Sequence, residues 1–181
     1  LAVQIRVTYK TAWLMLHKLR SAMSRHEELD RLAGLIRLNL IKSGPSPLPW
    51  VRKLGDQEHP FVIGGSMAGG PDGSVLAIKL MQDTGGDTYQ WKITPEGAVR
   101  FIDKYVDRGR SFIDLRTDSL GRTRVFSLYK IASDIAWYIA STHRGVSSKH
   151  RQAYLHEYAY RFNRLCREEK AEEHLLRLGT V

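Results

Sequence analysis

"AYLHEYAYRFNRL", residues 153–165, packs three tyrosines, a phenylalanine and two arginines into thirteen positions. It is either an aromatic, basic surface for nucleic acid or the ordinary inner face of a helix, and the choice sets how the chain folds. Leu155, Tyr158, Phe162 and Leu165 are spaced three, four and three apart. That is one apolar stripe at helical period, with Tyr154 and Arg161 towards its flanks. The periodicity predicts a core helix whose arginines reach past apolar surface to water. A base-stacking surface needs aromatics outside the buried stripe, and only Tyr154 and Tyr160 stand there.

Working outward, the spacing predicts helices over roughly 122–140 and 148–172. Before them, "SFIDLRTD" (111–118) reads as a short strand buried at Phe112, Ile113 and Leu115, and "TPEGAVRFIDKYV" opens a helix with a cap and a first-turn proline. "FVIGGSMAG" and "SVLAIKLMQ" read as a hairpin across the turn "GGPDG". "SGPSPLPW" is loop, and "GLIRLNLIK" (34–42) is a strand. "VTYKTAWLMLHKLRSAM" is a helix capped by Thr8 or Thr11, with Ala12, Met15, Leu16, Leu19 and Met23 on its inner face. The order helix, three strands, helix, strand, helix, helix predicts an α/β layer with a mixed sheet.

The chain is 181 residues long and 43% hydrophobic, enough for one domain with a proper core and a small appendage. Arg and Lys interrupt every apolar run before the roughly 18 residues of a membrane span. A start at Leu1 without a signal-peptide pattern reads as a processed or incomplete chain. The single cysteine, Cys166, allows no internal disulfide or cysteine-rich zinc site and favours a reducing compartment. Lys and Arg number 28 against 19 acids, net +9, which predicts attraction to polyanions, nucleic acid above all. The histidines are scattered without metal-ligand spacing, and "GGSMAGGPDG" lacks the lysine and following helix of a phosphate loop.

Three stretches together, "TYKTAWLMLHKLRSAM", "FIDLRTD" and "THRGVSSKHRQAYLHEYAYRFNR" (142–164), resemble insertion-sequence transposases of the DDE superfamily, ISXO-like branch. The resemblance spans nearly the whole chain. It implies that residues 1–30 are the remnant of a helix-turn-helix DNA-binding module, carrying its last helix. Residues 31–181 are then a ribonuclease-H-like domain, a mixed sheet flanked by helices.

The resemblance also implies a catalytic centre in which carboxylates bridge two metal ions about 4 Å apart and clamp the oxygens of a phosphodiester exchange. Magnesium wants anionic oxygen ligands for that purpose. Carried over residue by residue, the first acid of the family falls on Asn39 and the acid beside it on Leu40. The second persists as Asp118, the third position falls on Tyr129, and a lysine position falls on Ala136. The loop between the second and third positions is only ten residues, 119–128. Asp134, one turn beyond Tyr129, is a candidate replacement ligand, and a solvated helix acid on the blander reading.

Of the four catalytic positions at 39, 118, 129 and 136, only Asp118 is kept, so the expectation is a transposase-derived protein without phosphodiester chemistry, metal or other cofactor. It would act as a nucleic-acid-binding or structural subunit of a larger assembly, touching a DNA or RNA backbone or protein partners. The alternative is an active, magnesium-dependent transposase that cuts and joins DNA strands. Lys10, Lys18, Arg20, Arg144 and Lys149 are the candidate backbone contacts. The expected location is intracellular: the bacterial cytoplasm, or an organelle such as the mitochondrion for a co-opted copy.

Overall fold

Thr8 starts the first helix, its hydroxyl accepting the Thr11 N–H at 3.2 Å. A computed structural model describes residues 5–43, 59–68, 73–82, 93–115, 126–143 and 146–179. Helix α1 spans Tyr9–Leu29 and buries Ala12, Arg20, Met23 and Glu27. Met15 and Leu19, expected on its inner face, are 47% and 43% exposed. The buried stripe instead includes two charged residues, which hydrophobic periodicity cannot register.

The strands are β1 (Leu32–Ser43), β2 (His59–Ala68), β3 (Ser74–Gln82) and β4 (Val106–Asp114). They lie in the order β3-β2-β1-β4. β2 and β3 form the expected antiparallel hairpin, and β1 pairs antiparallel with β2 and parallel with β4. The hairpin turn at 69–72 and the proline-rich loop lie outside the described residues. β4 begins at Val106, five residues earlier than its sequence suggests. Phe112 and Leu115, expected to be buried, are 72% and 45% exposed, whereas Ile113 packs into the core. A strand alternates its side chains, so Phe112 faces away from Ile113, and Leu115 lies past the last residue of this edge strand.

Helix α2 (Pro95–Tyr105) is capped by Thr94 and opened by Pro95, as its sequence implies. It covers one face of the sheet, where Phe101, Ile102 and Tyr105 meet Leu32, Ile36, Leu38 and Val62. Helix α3 (Phe126–His143) covers the other, with Leu128, Ala132, Ile135 and Ile139 over Phe61, Ile63, Ile78 and Leu80. Two adjacent glycines in β2 permit both approaches. A Cβ at Gly64 would come within 2.4 Å of the Phe101 ring, and one at Gly65 within 2.6 Å of Leu128.

Helix α4 (Ser148–Cys166) lies along the edge of β3 and satisfies its outward backbone groups. Asn163 accepts the Ile78 N–H at 2.8 Å and donates to the Ile78 carbonyl at 3.0 Å. Gln152 accepts the Gln82 N–H at 2.7 Å and donates to the Leu80 carbonyl at 2.8 Å. Two side-chain amides thus stand in for a neighbouring strand and close an edge open to pairing with another chain.

This placement corrects the stripe expected for residues 153–165. Leu155 is fully buried, Tyr158 and Phe162 are partly buried, and Leu165 is 74% exposed. Tyr160, expected off the stripe, is fully buried. A helix docked on a sheet edge buries a wide arc that includes polar side chains, so its inner face is rotated from the apolar one. The helix expected to reach residue 172 ends at Cys166. Glu168, at φ 57°, turns the chain into α5 (Ala171–Gly179). Tyr160 holds α5 through a 2.7 Å hydrogen bond between its hydroxyl and His174 Nδ1.

Polar contacts tie α1 to the rest of the fold. Lys79 of β3 donates to the Glu27 carboxylate at 2.6 Å and to the Glu27 carbonyl at 2.7 Å, and Asn163 donates to the same carboxylate at 3.1 Å. Burial pushes Glu27 up and Lys79 down, and each charge opposes the other's shift. Glu157 takes Arg20 on one oxygen and Arg161 on the other, both at 2.7 Å.

Deeper in, His156 Nε2 lies 2.7 Å from Gln152 Nε2 and 2.9 Å from the Tyr105 hydroxyl. The Gln152 amide is oriented by its two strand contacts, so its nitrogen must donate to His156. His156 is therefore neutral and protonated on Nδ1. Burial, with Lys104 nearby, lowers its pKa from 6.5 to about 4. The unfolded chain takes up a proton near pH 6.5 that the folded chain refuses until about 4. Stability should be full above pH 6.5 and fall by roughly 3 kcal/mol as the pH drops to about 4. Denaturant titrations across that window should show the loss, and His156→Gln should flatten it.

Candidate nucleic-acid interface

Asn39 and Tyr129, two of the positions the resemblance assigns to the catalytic centre, lie on β1 and α3, which pack against one another. Asn39 lies on β1, partly buried, and its Nδ2 is buried without a hydrogen-bond partner. Tyr129 lies on α3 and is 37% exposed. Ala136 packs against the core under the same helix, and Asp134 is exposed on it. Asp118 lies outside the described residues, so its distance from Asn39 does too.

Asn39, Tyr129 and Ala136 do not fit a divalent cation. An amide brings no charge, a tyrosine is a poor match for a hard ion, and alanine brings no ligand. The strand face itself holds an ion pair. Arg37, two residues before Asn39 and so roughly 7 Å from it along the same face, is buried. It pairs with Asp114 of β4 at 3.1 Å, in the register that places the two opposite each other. A buried guanidinium occupies the neighbourhood where bridging carboxylates would have to gather. Among the described residues, no three His, Cys, Asp or Glu side chains converge as metal ligands.

The candidate backbone contacts divide. Lys10 and Lys18 are exposed on α1 and Lys149 is exposed at the start of α4, with no ion pair among the described residues. Arg144 lies outside the described residues. Arg20 is corrected: it is 8% exposed, bound to Glu157 and stacked over the Tyr154 ring at 4.0 Å. A cation held by a buried carboxylate and an aromatic face is an internal fastener between helices, not a phosphate contact. Arg25, also exposed on α1 and without an ion pair among the described residues, joins them and was not among the expected contacts. Its signal was available, because residues 1–26 and 135–156 contain no Asp or Glu.

The start of α1 also carries rings. Trp13 is 39% exposed and lies nearly parallel to His17, with centroids 5.2 Å apart and planes 5° apart. His150 of α4 stands edge-on to both at 6.0 Å. Tyr9, one turn earlier, is 80% exposed. A different apolar groove of about 220 Å³ lies between α3 and α4, lined by Tyr138, Tyr158, Arg161, Phe162 and Leu165. Tyr158 and Phe162, expected in the core, form part of its wall.

No family model, curated protein or solved structure matches the chain. Fold and surface together define an α/β protein with a four-stranded mixed sheet, flanked by helices, that presents a basic and aromatic helix surface. Among the described residues, no helix is long and apolar enough to cross a membrane.

Proposed function

We propose that the chain is a ribonuclease-H-like domain of transposase descent that binds nucleic acid and no longer cuts it. The observation that carries the binding reading is the run of exposed cations Lys10, Lys18 and Arg25 on α1 with Lys149 on α4, which make no ion pair among the described residues and lie on segments free of acids. Cations without carboxylate partners are free to displace the counterions condensed on a phosphate backbone. The descent is supported by a mixed sheet flanked by helices, which is compatible with the ribonuclease-H-like layout the resemblance implies. Loss of cleavage is supported by Asn39 in place of an acid and by the Arg37–Asp114 pair beside it.

Affinity for an oligonucleotide, read by fluorescence anisotropy, should fall steeply as salt rises. Combining Lys10→Ala, Lys18→Ala and Lys149→Ala should reduce the slope of log affinity against log salt by about two to three. The same mixtures with Mg²⁺ or Mn²⁺ should show no nicked or joined strands. A flat salt response removes the binding reading, and metal-dependent cleavage abolished by Asp118→Ala restores an active transposase.

A further inference from the structure

We infer that Trp13, His17 and His150 form a platform for an unpaired base, so that single-stranded nucleic acid is the preferred partner of the basic face. The inference rests on the nucleic-acid reading above and narrows it to one strand form.

The indole of Trp13 is fixed rather than loose. His17 stacks against it from one turn further along α1, nearly parallel with centroids 5.2 Å apart, and His150 braces both rings edge-on from a different helix. A ring whose plane is set by a helix pair loses little rotamer freedom when a second ring stacks on it. Trp13 keeps 39% of its surface exposed despite these contacts, so part of the indole remains open to a ligand.

The surroundings select the ligand. Lys10 lies one turn before Trp13 and Lys149 directly precedes His150, so both helices that carry the rings also carry an exposed lysine near them in sequence. Tyr9 extends the exposed aromatic surface toward the start of α1. Aromatic faces interleaved with cations suit a strand whose bases and phosphates alternate. In a duplex the base faces are covered by their neighbours, and an aromatic platform gains nothing there unless a base is first unstacked. An acidic protein would satisfy the lysines but has no need of the flat ring.

The test compares a labelled oligothymidylate with a labelled duplex of matching length, bound to the full chain at low salt. Trp13→Ala should weaken single-strand binding by about 5- to 150-fold, the range that loss of one aromatic–base stack produces. Duplex binding should change less than about twofold, because phosphate contacts alone carry it. Trp13→Phe should recover part of the single-strand affinity, and thermal melts should show that both variants fold. If Trp13→Ala weakens both ligands equally, or neither, the platform is overturned while the nucleic-acid reading stands. If the wild-type chain binds neither ligand, the basic face serves a protein contact and both readings fall.

Discussion

Lys79→Met is expected to destabilise the protein by about 3–5 kcal/mol, because it strands the Glu27 carboxylate where no water can reach it. Glu27 is fully buried, and Lys79 gives its carboxylate a 2.6 Å ion pair. Asn163 would remain as a donor at 3.1 Å, and one neutral amide cannot replace an ammonium. The loss should lower the melting temperature by roughly 6–20 °C in a chain of this size. It should shrink as the pH falls toward the ordinary carboxylate range, since a protonated Glu27 is far cheaper to bury. Adding Glu27→Leu to Lys79→Met should recover most of the stability, because two apolar side chains cost less than one unpaired charge. Thermal melts of the single and double variants decide the matter. A double variant no more stable than the single one would mean that the pair is not the source of the penalty.

Tyr160→Ala should be nearly as damaging. It removes a fully buried ring, and truncating a buried aromatic to alanine costs about 3–5 kcal/mol through lost burial and the cavity left behind. It also removes the 2.7 Å bond to His174 that holds α5. The His26 ring, 4.8 Å from His174 and 5.7 Å from Tyr160, would lose a neighbour as well. Phe162→Ala opens a groove already in contact with solvent, so its cost should be half as large or less. Tyr160→Phe keeps the ring and should cost about 1 kcal/mol, the usual worth of one hydrogen bond. Melts that rank Phe162→Ala as the more harmful change would restore the apolar-stripe reading of this helix.

That reversal marks where the sequence was legible. The strands of the hairpin, the central strand and the capped starts of α1 and α2 follow from alternation, turn residues, Thr8 and the Thr94–Pro95 pair. Each is a local signal, fixed by backbone preferences within a few residues. The inner face of α4 was not legible, because apolar spacing points to Tyr158, Phe162 and Leu165 while the fold buries His156, Glu157, Tyr160, Asn163 and Arg164. Polar residues become interior only where partners arrive from distant segments. Arg20 was misjudged for the same reason: its partner, Glu157, is 137 residues away.

On the surface, acid-free segments were visible in the sequence, as were Asn39 and Tyr129 at positions where the resemblance implies metal ligands. The stacked rings of Trp13, His17 and His150 were not, since no spacing rule links residue 13 to residue 150. By itself, the sequence determined most of the helices and strands and the basic charge, all properties of residues and their near neighbours. The tertiary structure decided which faces are buried, that α4 seals the β3 edge, and that Arg37 stands beside Asn39. Those outcomes depend on side chains whose polar groups are satisfied only across long stretches of chain, and that complementarity exists only once the fold has closed.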